Sequence, residues 1–347
     1  MTGRERILKS LAWDDASSLV VESGFSCATW QKYREALEPL AARMPNDLAA
    51  YPGPRADYDE MPPSYHAGDV FTDAWGCVWD CKVDGLEGII SHHPLANDWA
   101  GFAQFRTPDP LHTVDKVAWD PKAFEIGLAR NVAAGKFITG GWERLWERVY
   151  FLRGYENTML DMAMEDPRLP QLIEMIVEYN IAAAQKFLQY SEVDCIVFGD
   201  DWGEQNRLMV SADMWRHYFY DGYRHMFQAV KAAGRQVYFH TDGFLLPIIP
   251  DLIEAGADII NLQSRPNGIE NIRDACLHKV SVSVDIDRQQ LMPYGTPEEL
   301  TAHIREIAAV MQAKQGGVWV KIDVYPDTPL ENIEAMRAVC DELRADG

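Results

Sequence analysis

From about Phe124 onward, short apolar runs alternate with helical stretches of 12 or more residues, the pattern of parallel strands joined by helical crossovers. The runs Phe137–Thr139, Cys195–Gly199, Gln236–His240, Asp258–Leu262, Val280–Val284 and Val318–Ile322 are predicted strands. Leu19–Val21, between two helical segments in residues 1–45, makes a seventh. An eighth is expected in residues 46–120, where prolines, glycines and aromatics crowd together, as in Tyr51-Pro52-Gly53-Pro54 and Met61-Pro62-Pro63-Ser64-Tyr65. The fold class expected is α/β, a (β/α)8 TIM barrel of one domain over 1–347. Its irregular, aromatic- and Pro-rich insertion at about 46–120 is placed to cap the barrel mouth.

Side chains alternate across a strand, so in a barrel one parity meets the helices and the other fills the interior. In Val280 to Asp287 the valines and Ile286 take the helix side, which turns Ser281, Ser283, Asp285 and Asp287 inward. The same split sends Lys321, Asp323 and Tyr325 inward from the last strand, Tyr238, His240 and Asp242 from Gln236–His240 and its exit, and Asn261 and Gln263 from the strand between. Four strands therefore deliver polar groups to one carboxyl end, where barrel active sites lie. A single such Asp would as readily cap a helix. His240 and Asp242, about 7 Å apart along one face, are close enough to share a metal or a substrate. Asp200, Asp201 and Glu204, after the preceding strand, are expected within reach, though the glycines there leave open which turns inward.

Charge narrows the partners. With 32 Lys and Arg against 53 Asp and Glu the formal charge is −21, which disfavours nucleic acid. The amino terminus leads straight into a helical pattern, and no run of 18 apolar residues suggests a membrane span. A cytoplasmic protein is the expectation, and a homodimer stays open. Six scattered cysteines suggest reduced thiols rather than a disulfide framework. Cys77 and Cys81, on a strand-like stretch, would stand about 13 Å apart, too far to share one metal directly. His92-His93 is expected in a loop without chemistry.

Several ordered segments resemble one family. They are Gly199-Asp200-Asp201-Trp202-Gly203-Glu204-Gln205, Ser211-Ala212-Asp213-Met214-Trp215, His240-Thr241-Asp242-Gly243, Glu254-Ala255-Gly256-Ala257-Asp258, Asp285-Ile286-Asp287 and Pro326-Asp327-Thr328-Pro329-Leu330. Together they are similar to the uroporphyrinogen decarboxylase-like superfamily, nearer its corrinoid-dependent methyltransferase branch. The resemblance spans essentially the whole chain and is weakest over 46–120.

It implies a barrel and one of two activities: decarboxylation without a cofactor, or methyl transfer to or from a corrinoid on a separate protein, commonly with zinc activating a thiol. The decarboxylase's Arg-Gln-Ala-Gly-Arg-Tyr element is replaced by Glu22-Ser23-Gly24-Phe25-Ser26-Cys27, which disfavours a polycarboxylate substrate. The thiol-methylating branch carries His-x-Cys where this chain has His240-Thr241-Asp242, and a further cysteine where it has Lys321-Ile322-Asp323. Zinc binds His with carboxylates as well, so His240, Asp242 and Glu204 are the candidate ligands.

The preferred expectation is a methyltransferase that moves a methyl group from a small methoxylated or N-methylated donor to a corrinoid (cobalamin) on a partner protein. His240, Asp242, Asp200, Asp201 and Tyr325 would be catalytic, with Asn261, Gln263, Asp285, Asp287, Lys321 and Asp323 around the substrate. A decarboxylase or lyase acting on another carboxylic acid is the alternative, and a binding protein that has lost the chemistry is the third reading.

Overall fold

The computed structural model describes residues 1–14, 19–97 and 99–345. Seven parallel strands form one curled sheet: β1 (Val20–Phe25), β2 (Thr139–Glu143), β3 (Cys195–Gly199), β4 (Gln236–His240), β5 (Ile259–Gln263), β6 (Ser281–Asp285) and β7 (Val318–Val324). Their spatial order, β1-β7-β6-β5-β4-β3-β2, is that of a TIM-like barrel in which successive strands neighbour one another and β1 lies beside β7. Helices Arg168–Leu188, Asp221–Ala232, Ile249–Ala255, Ile269–Cys276 and Pro297–Val310 each precede the next strand. They cover the outer parity, where Val237, Phe239, Ile260, Leu262, Val282, Val284, Val320 and Ile322 are buried.

Five of the predicted strands lie within a residue or two of the observed ones, and Leu19–Val21 marks the start of β1 but stops four residues short of its end. The seventh, Phe137–Thr139, touches β2 only at Thr139. Phe137 and Ile138 form its approach, where Phe137 N–H donates to Asp47 O at 3.0 Å and Ile138 N–H to Asp194 Oδ2 at 3.0 Å. The strand proper, Thr139-Gly140-Gly141-Trp142-Glu143, carries a register shift and Gly141 at φ +84°, so its apolar alternation is broken by glycines.

Among the described residues no eighth strand pairs between β1 and β2. Residues 46–48 bridge that gap: Asp47 N–H donates to Val21 O at 2.8 Å, and Asp47 O accepts the Phe137 bond. The Asp47 carboxylate is 1% exposed. It accepts from Val21 N–H at 2.9 Å and is paired with Arg6 at 2.6 Å and Arg344 at 3.0 Å. One buried acid thus ties the closing segment to the first and last helices.

Helix Gly3–Leu11 starts on a capping box, in which Thr2 and Glu5 each accept the other's backbone N–H. It presents Ile7 to the inner layer at the amino end of the barrel. Residues 49–120 hold a three-stranded antiparallel sheet (Val70–Thr72, Val78–Asp80, Ile89–His92) and a small hairpin (Thr113–Val114 with Val117–Ala118). This elaboration docks on helix Trp146–Arg153, which follows β2, through Arg148 to Asp115 at 2.8 Å and Arg153 to the carbonyls of Leu95 and Ala96 at 2.8 Å. Cys77 and Cys81 donate to different carbonyls, Phe151 O and Val83 O, and all six thiols are free. No helix among the described residues is long and apolar enough to cross a membrane.

Candidate active site

The interior changes character along every strand. Nearest the amino ends, Val20, Cys195, Val197, Tyr238, Ile259 and Trp319 form an apolar layer. Two residues further on come Glu22, His240, Asn261 and Lys321 at the same inward parity, with Ser283 and then Asp285 on β6. Glu22 accepts hydrogen bonds from Tyr238 Oη and Ser283 Oγ, each at 2.8 Å, and lies 3.6 Å from Lys321 Nζ. Lys321 is also 3.4 Å from Asp323. Burial works against the Lys321 charge, but Tyr238, Glu22, Asp323 and Asp285 outweigh it and push its pKa up, so it is a donor only.

The loops leaving β3 and β4 run side by side. Asp200 N–H donates to His240 O at 3.0 Å and Gly203 N–H to Asp242 O at 3.1 Å. A Cβ on Gly203 would fall 2.3 Å from Phe244 N, and one on Gly243, at φ +80°, 2.1 Å from Gly203 O. Only glycine lets these backbones pass. Their approach brings Asp201 to Asp242, whose N–H donates to Asp201 Oδ1 at 3.0 Å. His240 Nε2 then lies 3.7 Å from Asp201 Oδ1 and 3.8 Å from Asp242 Oδ1. One donor atom from each of the three lies within 4.8 Å of the others, the one such group of three among the described residues.

Asp242 Oδ1 is buried and accepts no hydrogen bond, while Oδ2 is held by Arg288. Arg288 also reaches Asp285 at 3.8 Å and donates to Tyr325 Oη at 3.4 Å. Burial pushes the Asp201 carboxyl up, Asp242 adds to the shift and His240 opposes it. Asp285 is pushed up to about 6, chiefly by burial; Lys321 pulls it down while Asp323 and Asp242 raise it. The Trp142 ring lies 5.2 Å from the His240 ring and forms an apolar wall. Tyr325 lines a cleft of about 790 Å³ between the mouth and the elaboration, with Cys27, Arg55, Tyr65 and Glu87 among the other lining residues.

His240, Asp242, Asp201 and Tyr325 are therefore brought together, with Asp285 and Asp323 beside them. Asp200 is turned away: its carboxylate accepts from Leu145 N–H at 2.7 Å, Glu147 N–H at 2.8 Å and Tyr223 Oη at 2.7 Å, anchoring the start of helix Trp146–Arg153. Glu204 faces solvent and pairs with Arg207 at 2.6 Å, so Asp201 takes the place expected for it in the donor set. Gln263 accepts from Gly243 N–H at 3.1 Å. Asp287 holds Arg265 at 2.9 Å and accepts from the N–H groups of Gln289 and Gln290. Asn261 is committed inside the barrel. Trp142 and Arg288 carry no signal in the sequence pattern: one follows two glycines, and the other sits in a turn without periodicity.

A model of the uroporphyrinogen decarboxylase (URO-D) family matches residues 70–343. The chain belongs to that family. Curated proteins offer no match. Among solved structures, a methyltransferase from Methanosarcina mazei superposes with a TM-score of 0.70 at 16% identity, covering 99% of both chains. An endo-β-1,4-xylanase of glycoside hydrolase family 10 from Gloeophyllum trabeum overlaps more loosely, at TM-score 0.43 and 9% identity over 64% of this chain and 80% of its own. The first likeness shows that this member of the family has the same fold as that methyltransferase over its whole length.

Proposed function

We propose that the protein is a methyltransferase that takes a methyl group from a small methoxylated or N-methylated donor and delivers it to a corrinoid carried by a partner protein. The observation that carries this reading is the meeting of His240 Nε2, Asp201 Oδ1 and Asp242 Oδ1, with Asp242 Oδ1 buried and unpartnered. A buried acceptor without a donor is costly, and three acceptors facing one another suit a cation or a proton between them. Such a group is what demethylation of an ether needs. As the carbon leaves, the oxygen keeps the bonding pair and must be met by a proton or a positive charge.

The donor set, one imidazole and two carboxylates, fits Zn²⁺ by ligand type. Zinc held there would supply Lewis acidity toward the leaving oxygen or nitrogen. His240, Asp201 and Asp242 would hold it, and Arg288 keeps the second Asp242 oxygen occupied so that the first stays turned to the gap. Trp142 offers the donor an apolar face, and Tyr325, hydrogen-bonded to Arg288, offers a hydroxyl at the cleft wall. The full-length likeness to a methyltransferase supports the same reading.

The test is methyl transfer to free Co(I) cobalamin from a panel of methoxyaromatics and methylamines, with the metal content of the purified protein measured alongside. Transfer is expected from at least one donor, falling about 10²- to 10⁴-fold in His240→Ala. No transfer, together with CO₂ release from an acid substrate, would decide for the decarboxylase alternative.

A further inference from the structure

Asn261 sits on β5 behind His240 and is fully buried. Its Oδ1 lies 2.9 Å from Lys321 Nζ and also meets His240 Nδ1; its Nδ2 lies 2.8 Å from Ser283 O and 2.6 Å from Asp285 Oδ1. These contacts leave no freedom in the amide. The lysine ammonium only donates, so the amide atom facing it is oxygen. A carbonyl and a carboxylate face the other side, so the atom there is the NH₂. The ring atom of His240 that meets the amide oxygen must then carry a hydrogen, since two lone pairs would otherwise oppose one another.

We infer that Asn261 is a positioning residue that fixes neutral His240 as its Nδ1–H tautomer and so presents the Nε2 lone pair to the gap shared with Asp201 and Asp242. The amide makes all four of the hydrogen bonds open to it and is fully buried behind the histidine. Lys321 and Asp285 hold the amide from opposite sides, and Glu22 beneath holds Lys321. The chain Glu22, Lys321, Asn261, His240 thus runs from the closed interior to the mouth and orients one lone pair. A histidine that binds a metal through one nitrogen generally has its other nitrogen fixed in this way, most often by a carboxylate or a backbone carbonyl. The role given to that lone pair rests on the proposed methyltransferase site; the tautomer rests on the hydrogen bonds alone.

The experiment uses the full-length, metal-free protein labelled with ¹⁵N at histidine. A two-bond ¹⁵N–¹H correlation spectrum is recorded at a pH where the His240 ring is neutral, and the His240→Gln spectrum identifies its signal. The expected pattern is a protonated Nδ1 and a pyridine-like Nε2. A neutral His240 with its proton on Nε2 overturns the inference. Asn261→Leu, which keeps the size but removes donor and acceptor, is expected to move the signal toward a mixture of tautomers and to weaken Co²⁺ binding about 10- to 100-fold. A wild-type tautomer pattern in that variant likewise overturns the inference. Should Asn261→Leu fail to fold, the wild-type spectrum decides alone. Absence of Co²⁺ binding by the wild type would sink the metal reading of the site and leave the tautomer to be judged on its own spectrum.

Discussion

The lower and upper layers of the barrel interior are built by the same strands two residues apart, yet they obey opposite rules. In the lower layer Val20, Val197, Ile259 and Trp319 fill space, with Ile7 of the first helix closing the end. In the upper layer Glu22, His240, Asn261, Asp285 and Lys321 are almost as deeply enclosed, but polar. Most of their atoms find hydrogen-bond partners; Asp285 Oδ2, with Arg288 3.8 Å away, and Asp242 Oδ1 beside them accept no hydrogen bond. Buried polar atoms without a hydrogen bond are rare in folded proteins; two fall around Arg288 at the carboxyl mouth, and one, the indole N–H of Trp319, falls in the lower layer. The lower layer is stabilised by packed apolar surface, whereas the upper layer buries charge and polar atoms at some cost in stability.

The sharpest way to break this contrast is to cut into the lower layer. Trp319 is fully buried, and Trp319→Ala should cost about 3–5 kcal/mol of stability, measured by denaturant unfolding. A loss under 1 kcal/mol would mean that this layer is not the packed one. The contrast then requires the opposite result above: Asp201→Asn should leave the unfolding midpoint nearly unchanged while lowering Zn²⁺ affinity by about 100-fold or more, read by competition with a chromophoric chelator. Equal affinity in the variant would remove Asp201 from the donor set.

Acid titration sharpens the cost assigned to the mouth. The Asp285 carboxyl is held up at about 6 against an ordinary value of 3.8, chiefly by burial. The folded state therefore favours its neutral form. Its favourable contribution is complete below about pH 4 and is lost as pH rises through about 6. Asp285→Asn keeps an acceptor for Asn261 and carries no charge. It should flatten the stability profile between pH 4 and 7 and gain on the order of 1–3 kcal/mol near pH 8. A variant whose pH profile parallels the wild type would show that this acid is not the source of the slope.

Much of this layering was legible in the chain because alternation is a strong signal inside regular strands. Tyr238 with His240, Asn261 with Gln263, Ser283 with Asp285 and Lys321 with Asp323 all lie on the parity their neighbours imply. The signal fails where regular structure ends. Asp200 and Asp201 are consecutive at a glycine-lined exit; one anchors a helix start and the other meets His240, and no periodicity separates them. β2 is hidden by Gly140 and Gly141, and with it Trp142. The closing segment at residues 46–48 has no strand pattern because its one indispensable contribution is a buried acid, Asp47, between two arginines. That Asn261 is committed on all sides follows from register across β4, β5, β6 and β7, which a linear pattern does not contain.

The smallest expected effect tests the replacement of Glu204 by Asp201 most directly. Both follow β3 within five residues, and both could be drawn into a site with His240 and Asp242 on sequence spacing alone. In the folded chain Glu204 pairs with Arg207 with 41% of its side chain exposed, so the charge it holds is screened and worth little. Glu204→Gln should therefore change unfolding free energy by less than about 0.5 kcal/mol and leave Zn²⁺ affinity within about twofold of wild type. The pairing of the two loops explains why. Gly203 crosses Gly243 at van der Waals limits, which sends the chain outward before Glu204 and leaves Asp201 as the last acid on the inner side of the crossing. A loss of Zn²⁺ affinity in Glu204→Gln comparable to that in Asp201→Asn would mean that the loop closes differently once a cation is bound, and the donor set would then have to be redrawn with Glu204 in it.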